Sequence, residues 1–203
     1  MTLLRATATN QVWAWDFFHD RLEDGRAIKW LACVDEFTRA CLLLEPRRSI
    51  KGTDARDLLA GGIAQRGAPQ HLRSDNGPEF IARALREHLR AQGITTAYIE
   101  PGAPWQNGFA ESFNSRVKDE LIKPEIFRSL TEARVLGRHW KHEYTRCPHS
   151  ALNYLTPEAF ARQEATVPQP EEIFAPPGGQ TKQPQHHYPT NPLPQESLIT
   201  AGP

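Results

Sequence analysis

Three carboxylates stand where a carboxylate is costly. Asp75 ends a short apolar run inside L-R-S-D-N-G-P-E-F (Leu72 to Phe80), just before a Gly-Pro pair. Thirty-five residues separate it from Glu111, inside P-W-Q-N-G-F-A-E-S-F-N-S-R-V-K (Pro104 to Lys118). Asp16 lies far upstream in W-A-W-D-F-F (Trp13 to Phe18). A lone Asp buried in such a strand would cost several kcal/mol without a partner. Three acids gathered from distant segments repel one another unless a cation sits between them, and all-oxygen donors suit a hard divalent ion. Two acids on adjacent strands and one on a facing helix can hold two Mg²⁺ ions about 4 Å apart. One ion would activate a water or a 3′-hydroxyl and the other would steady the leaving oxygen, which is the requirement of in-line displacement at a phosphodiester. No Ser/Cys–His constellation competes, and P-loop and dinucleotide glycine patterns are absent. His139-x-x-His142 and Cys147-x-His149 are unevenly spaced for zinc and read as ordinary helix and loop residues.

Positioning these acids requires strands and helices in a definite order. Val12 to Phe18 is aromatic and β-branched and predicts a strand, with Val12, Ala14, Asp16 and Phe18 on one face and Trp13, Trp15 and Phe17 on the other. Asp24-Gly25 marks a hairpin turn. Ala27 to Asp35 and Cys41 to Glu45 are the next two strands, joined by the short Glu36 to Arg39 link. Thr53 is the expected N-cap of a helix over Asp54 to Arg66, with Leu58, Leu59 and Ile63 inward, Gly61 and Gly62 weakening it and Gly67 ending it. Gln70 to Arg73 is a short strand that delivers Asp75. Pro78 suits the first position of a helix whose positive end Glu79 would cap, with Phe80, Ile81, Ala84, Leu85 and Leu89 as its apolar stripe and Gly93 as its stop. Ile94 to Ile99 is a fifth strand, and the loop Glu100 to Trp105 leads into a helix over Gln106 to Ile122. There Ala110, Phe113, Val117 and Leu121 form the inward stripe. Asn107, Glu111, Asn114 or Ser115, and Lys118 form the polar side, which sets Lys118 where a substrate phosphate would lie. Ser129-x-x-Glu132 is a capping box for a helix facing inward through Val135, Leu136 and Trp140, and Thr156-Pro157-Glu158 starts a last short helix.

Residues 1–11 carry no pattern and read as a lead-in. The core spans 12–163, and 164–203 reads as a disordered tail, since nine of the 17 prolines fall from Val167 onward with few apolar residues. The three cysteines, Cys33, Cys41 and Cys147, show no C-x-x-C spacing and fit reduced cytosolic thiols. No run of about 18 apolar residues exists, so no membrane span is expected. Formal net charge is zero, which counts against a self-sufficient DNA binder but not against a catalytic core with its cations on one face.

The element order β-β-β-α-β-α-β-α-α resembles the ribonuclease H-like fold, a five-stranded mixed sheet with helices on both faces. In that fold the first strand is central and neighbours the fourth. W-A-W-D-F, V-D-E-F-T-R, S-D-N-G-P-E-F and P-W-Q-N-G-F-A-E-S-F-N-S-R-V-K-D-E together resemble the integrase catalytic core of bacterial insertion-sequence transposases, in the two-frame subgroup closest to retroviral integrases. The resemblance covers Asn10 to about Arg162. It implies a DDE transposase that cuts and joins DNA strands with two Mg²⁺ ions, Mn²⁺ able to substitute, on a triad of Asp16, Asp75 and Glu111. It implies that Asn76 and Gly77 shape the turn after the second acid. Asn76, Gln106, Asn107, Asn114 and Lys118 are expected to serve DNA binding. Asp35 sits at a position of structural type, and Glu120 reads as a solvated face. Expected partners are transposon-end and target DNA, further copies of the chain, and a helix-turn-helix region upstream or on a separate subunit. The expected location is the bacterial cytoplasm, on the nucleoid when DNA is bound. The stretch Tyr144 to Ser150 departs from the family pattern by one missing residue, with Cys147 where an arginine is usual. That departure keeps a second reading open, a truncated or inactive remnant that folds and binds DNA or a partner. A third is a nuclease of the same fold acting on RNA–DNA hybrids.

Overall fold

Strand β1 (Val12–Arg21) is buried on both faces, and the rest of the chain is laid against it. The computed structural model describes residues 4–75, 77–100 and 104–166. Strands β2 (Ala27–Asp35) and β3 (Cys41–Arg47) follow antiparallel, after a turn in which Gly25 takes φ +79°. Helix α1 (Gly52–Arg66), strand β4 (His71–Ser74), helix α2 (Arg83–Ala91) and strand β5 (Thr95–Tyr98) come next. Helices α3 (Gly108–Val117), α4 (Leu130–Arg146) and α5 (Pro157–Thr166) complete the order. The sheet runs β3-β2-β1-β4-β5, with β4 and β5 parallel to β1. This is the ribonuclease H-like arrangement, with the first strand central and beside the fourth.

The alternation of β1 builds two cores. Ala14 and Phe18 join Trp30, Phe113, Val117, Ala133 and Trp140 beneath α3 and α4. Trp13 and Trp15 join Leu59, Leu72, Phe80, Leu85 and Leu89 beneath α1 and α2. Asp35 is structural. It is buried, and its carboxylate accepts from Asn10 N (2.8 Å), Phe37 N (3.0 Å), Thr38 N (2.8 Å) and Thr38 Oγ1 (3.0 Å), fixing the β2–β3 turn.

Several local expectations are corrected. Helix α1 begins at Gly52 rather than after Thr53, because the Asp54 carboxylate reaches back to accept from Lys51 N at 2.8 Å. Pro78 and Glu79 open a turn, not a helix. Phe80 N and Ile81 N both donate to Gly77 O, and α2 starts only after Ala82, which is extended at ψ 135°. The cause is Phe80, whose ring sits 4.6 Å from both Trp15 and Phe17 and pins the turn to the sheet. Ile81 is left 46% exposed. Only half of the Ser129–Glu132 box forms: Ser129 Oγ accepts from Glu132 N at 3.1 Å, but the Glu132 carboxylate accepts from Arg128 N at 2.5 Å, one residue before the cap. Helix α4 faces inward through Ala133, Gly137, Trp140 and Tyr144, while Val135 is 57% exposed. Helix α5 runs to Thr166, past the expected core boundary. The tail from residue 167 lies outside the described residues. No helix among them is long and apolar enough to cross a membrane.

Candidate active site

The first two acids are brought level by strand register. Ala14 on β1 pairs with Arg73 on the parallel β4, so Asp16 and Asp75 stand two residues further along neighbouring strands. Asp16 Oδ1 accepts from Phe17 N at 2.7 Å, and its Oδ2 accepts from Asn114 Nδ2 of α3 at 2.9 Å. Asp75 Oδ1 accepts from Gly77 N at 2.9 Å. A Cβ on Gly77 would stand 3.0 Å from that oxygen, so a glycine is what lets the turn close on the carboxylate. Glu111 projects from the first turn of α3 and is exposed.

The electrostatics tie the three together. Burial above all, with smaller contributions from the charges of Asp75 and Glu111, lifts the Asp16 carboxyl to about 6 against the Phe17 N–H and the Asn114 amide. The three acids therefore share one field. Among the described residues no three His, Cys, Asp or Glu side chains are drawn closely enough to hold one ion. The donor set nonetheless fits a hard cation in kind. It is all oxygen, and Asp16 within it is withdrawn from water far enough to lift its carboxyl to about 6.

The residues expected to serve DNA divide. Asn76 lies outside the described residues. Lys118 is exposed, with its ammonium 5.7 Å from the Phe18 ring centroid, and it opens a π turn (Lys118–Ile122) instead of continuing α3. Gln106 is half-buried, and its Oε1 accepts from Glu100 N at 2.9 Å. Asn107 and Asn114 are only 3% and 4% exposed. The polar side of α3 is thereby open only in part, at Glu111, Ser115 and Lys118, while Asn114 is turned onto β1. Asn114 is spent on orienting Asp16. Glu79 is not a cap charge either but is ion-paired with Lys29, whereas Glu120 lies on an exposed face as expected, where Arg116 (2.6 Å) and Trp140 Nε1 (3.1 Å) meet its carboxylate.

Sequence reasoning missed Arg73 and Glu36, which are 2% and 1% exposed. Their charges meet at 2.8 Å, at an angle that leaves neither Glu36 oxygen hydrogen-bonded. Burial lifts the Glu36 carboxyl to about 7, with Arg73 and Arg39 opposing. Arg73 also donates to Gln106 O at 2.8 Å and to Leu4 O, so it links β4 to the turn that opens α3 and hence to Glu111. The available signal was an arginine two residues before Asp75, inside an apolar run. His149 is buried between Tyr144 O (3.1 Å) and Arg116 (3.0 Å), and burial holds its pKa below the usual value.

Two family models described as integrase core domain match residues 6–104 and 92–157. An uncharacterized 31.7 kDa protein of insertion element IS407 from Burkholderia multivorans is 39% identical over 165 residues, covering 80% of this chain and 60% of its own length. A 39.2 kDa protein of insertion element IS476 from Xanthomonas euvesicatoria is 38% identical, covering 81% and 48%. The transposase InsD of insertion element IS2D from Escherichia coli is 27% identical over 168 residues, covering 77% and 55%. This chain thus spans about half to three fifths of these relatives. Among solved structures, a simian T-cell lymphotropic virus intasome matches with TM-score 0.71 at 19% identity, over 89% of this chain and 63% of that one. The HTLV-2 integrase catalytic core with magnesium, in dimeric form, matches with TM-score 0.60 at 18% identity, over 77% and 99%. The chain belongs to the integrase core family, alongside the transposases of bacterial insertion elements.

Proposed function

We propose that this chain is the catalytic domain of a transposase, a DDE polynucleotidyl transferase that cleaves DNA and joins its strands at Asp16, Asp75 and Glu111. The observation that carries the reading is that the β1–β4 register sets Asp16 beside Asp75, with Glu111 of α3 near enough for its charge to act on Asp16. The relatives named as transposases and the magnesium-bound HTLV-2 core support it. Asp16, Asp75 and Glu111 would hold two Mg²⁺ ions, or Mn²⁺ in their place, which supply Lewis acidity to the attacking and leaving oxygens. Asp16 must be ionised for this, and the Phe17 N–H and Asn114 amide favour that state. Arg73 steadies the start of α3, and Lys118 meets a phosphate of the bound strand. Transposon ends and target are the DNA partners, several copies assemble for strand transfer, and end recognition comes from a helix-turn-helix region outside this chain. The protein works in the cytoplasm, on the nucleoid.

The expected outcome for Glu111→Gln is loss of Mg²⁺-dependent nicking and strand transfer on supercoiled DNA, with an unchanged circular dichroism spectrum. An unchanged rate rejects the assignment. The remnant reading expects a folded wild type without nicking, and the hybrid-nuclease reading expects cleavage of RNA–DNA duplexes instead. The shortened Tyr144–Ser150 stretch does not break the fold. Helix α4 ends cleanly at Arg146, and the chain turns back through His149 N to Leu155 O at 3.0 Å.

A further inference from the structure

The zero net charge conceals a segregation of cations. A hollow of about 670 Å³ between the end of α1, the second half of α4 and the start of α5 is lined by Arg66, Arg138, Lys141, His142, Arg146 and Arg162. One acid, Glu158, also lines it, and that carboxylate is already held by Arg162 at 2.9 Å. Among the described residues Arg138 and Arg146 meet no carboxylate, and both are exposed. Lys141 is anchored to the sheet edge by donating to Leu42 O of β3, while Arg66 closes α1, whose last carbonyl accepts from Asn10 Nδ2 at 2.8 Å. The hollow therefore faces the β3 edge. Asp16 stands on β1, two strands inward, about 10 Å by strand spacing.

Cations from three separate elements, converging without matching acids, are held together against their own repulsion. An anion relieves that repulsion, and one with repeated charges relieves it best. We infer that this hollow is a second DNA-binding surface, which grips backbone phosphates of a duplex away from the reacting strand. The inference rests on the proposed transposase reading for its partner, since that reaction already brings a duplex to the protein. It also accounts for how a chain of zero net charge holds DNA: the positive field is local. The proposed grip is on phosphates, which every sequence presents alike, so it carries no sequence preference of its own.

The test measures binding of a short duplex in EDTA across a salt series. For Arg138→Gln/Arg146→Gln the slope of log affinity against log salt falls by about two, one per lost phosphate contact, and affinity drops about tenfold or more at moderate salt. Arg138→Lys/Arg146→Lys keeps the slope, which a merely structural role would not predict. A folded double glutamine variant with unchanged slope and affinity overturns the inference, as does a variant that loses self-association while keeping DNA, which would assign the hollow to an acidic face of a second copy. Nicking with Mg²⁺ is read in parallel. Its failure in the wild type strikes the proposed function alone, because the salt slope is measured without metal.

Discussion

Asp16 sets a stability prediction with a definite sign. Its folded-state pKa is about 6, against an ordinary 3.8, with burial the main cause. A raised carboxyl means that the folded state binds the proton more tightly than the unfolded chain does. Stability therefore falls as pH rises from about 3.8 to about 6, and the whole penalty, at most about 3 kcal/mol, is present above that window. In metal-free buffer Asp16→Asn is expected to raise the melting temperature by several degrees at neutral pH, with the gain vanishing as pH approaches 4. A gain that does not depend on pH would refute the electrostatic account. Arg73 works differently. Removing it strands Glu36 in the core and unties the Gln106 carbonyl from β4. Arg73→Met is expected to cost about 3–5 kcal/mol in denaturant unfolding. It should also slow strand transfer beyond what instability explains, and a variant destabilised but fully active when folded would deny Arg73 its positioning role. The three acids were legible in the sequence because each broke a local pattern. The Arg73–Glu36 contact was not, since nothing local tells a buried arginine which distant acid it will meet.

At the scale of elements, what was legible followed periodicity, and what was missed followed tertiary packing. Strand β1 reads from alternation alone, and both of its faces are occupied as the pattern requires. The start of α2 could not be read that way, because Phe80 is bound to Trp15 and Phe17 and holds the Pro78 turn off the helix axis. The inward face of α4 turned on Gly137, which no apolar count would choose. A Cβ there would stand 3.0 Å from the Trp30 ring, so the glycine lets the indole lie against the helix. Glycine in a helix interior ordinarily costs about 1 kcal/mol relative to alanine. The two central glycines of α1 and α4 thus predict opposite outcomes. Gly61 meets nothing within 4 Å, and Gly61→Ala is expected to stabilise by about 0.5–1 kcal/mol. Gly137→Ala, despite the same propensity gain, is expected to destabilise, because the fully buried Trp30 ring has no room to retreat. Chemical unfolding of the two variants side by side checks this, and stabilisation by both would mean that the Trp30 contact is loose.

The whole molecule couples its fold to the charge it gathers. Sheet order and layering were legible from element order, because a right-handed parallel connection leaves few other places for β4 and β5 beside β1. Less legible was how far the acids would stay apart. Separate segments carry Asp16, Asp75 and Glu111, and among the described residues no three such side chains are close enough together to hold one ion. A divalent ion that binds only when these segments are assembled must then stabilise the fold as a whole. Linkage sets the size, about 2.7 kcal/mol when free ion exceeds its dissociation constant a hundredfold. For a folded body of this size that is a rise of about 5–10 °C in melting temperature. Saturating Mg²⁺ or Mn²⁺ is expected to produce it in the wild type and to produce much less in Asp75→Asn or Glu111→Gln. Both of those variants should instead begin from a higher metal-free melting temperature, because each removes a charge that presses on Asp16. Magnesium titrations followed by calorimetry on the three proteins separate the possibilities. A wild-type melt indifferent to either ion, or an equal rise in all three, would mean that the acids do not act as one cation site.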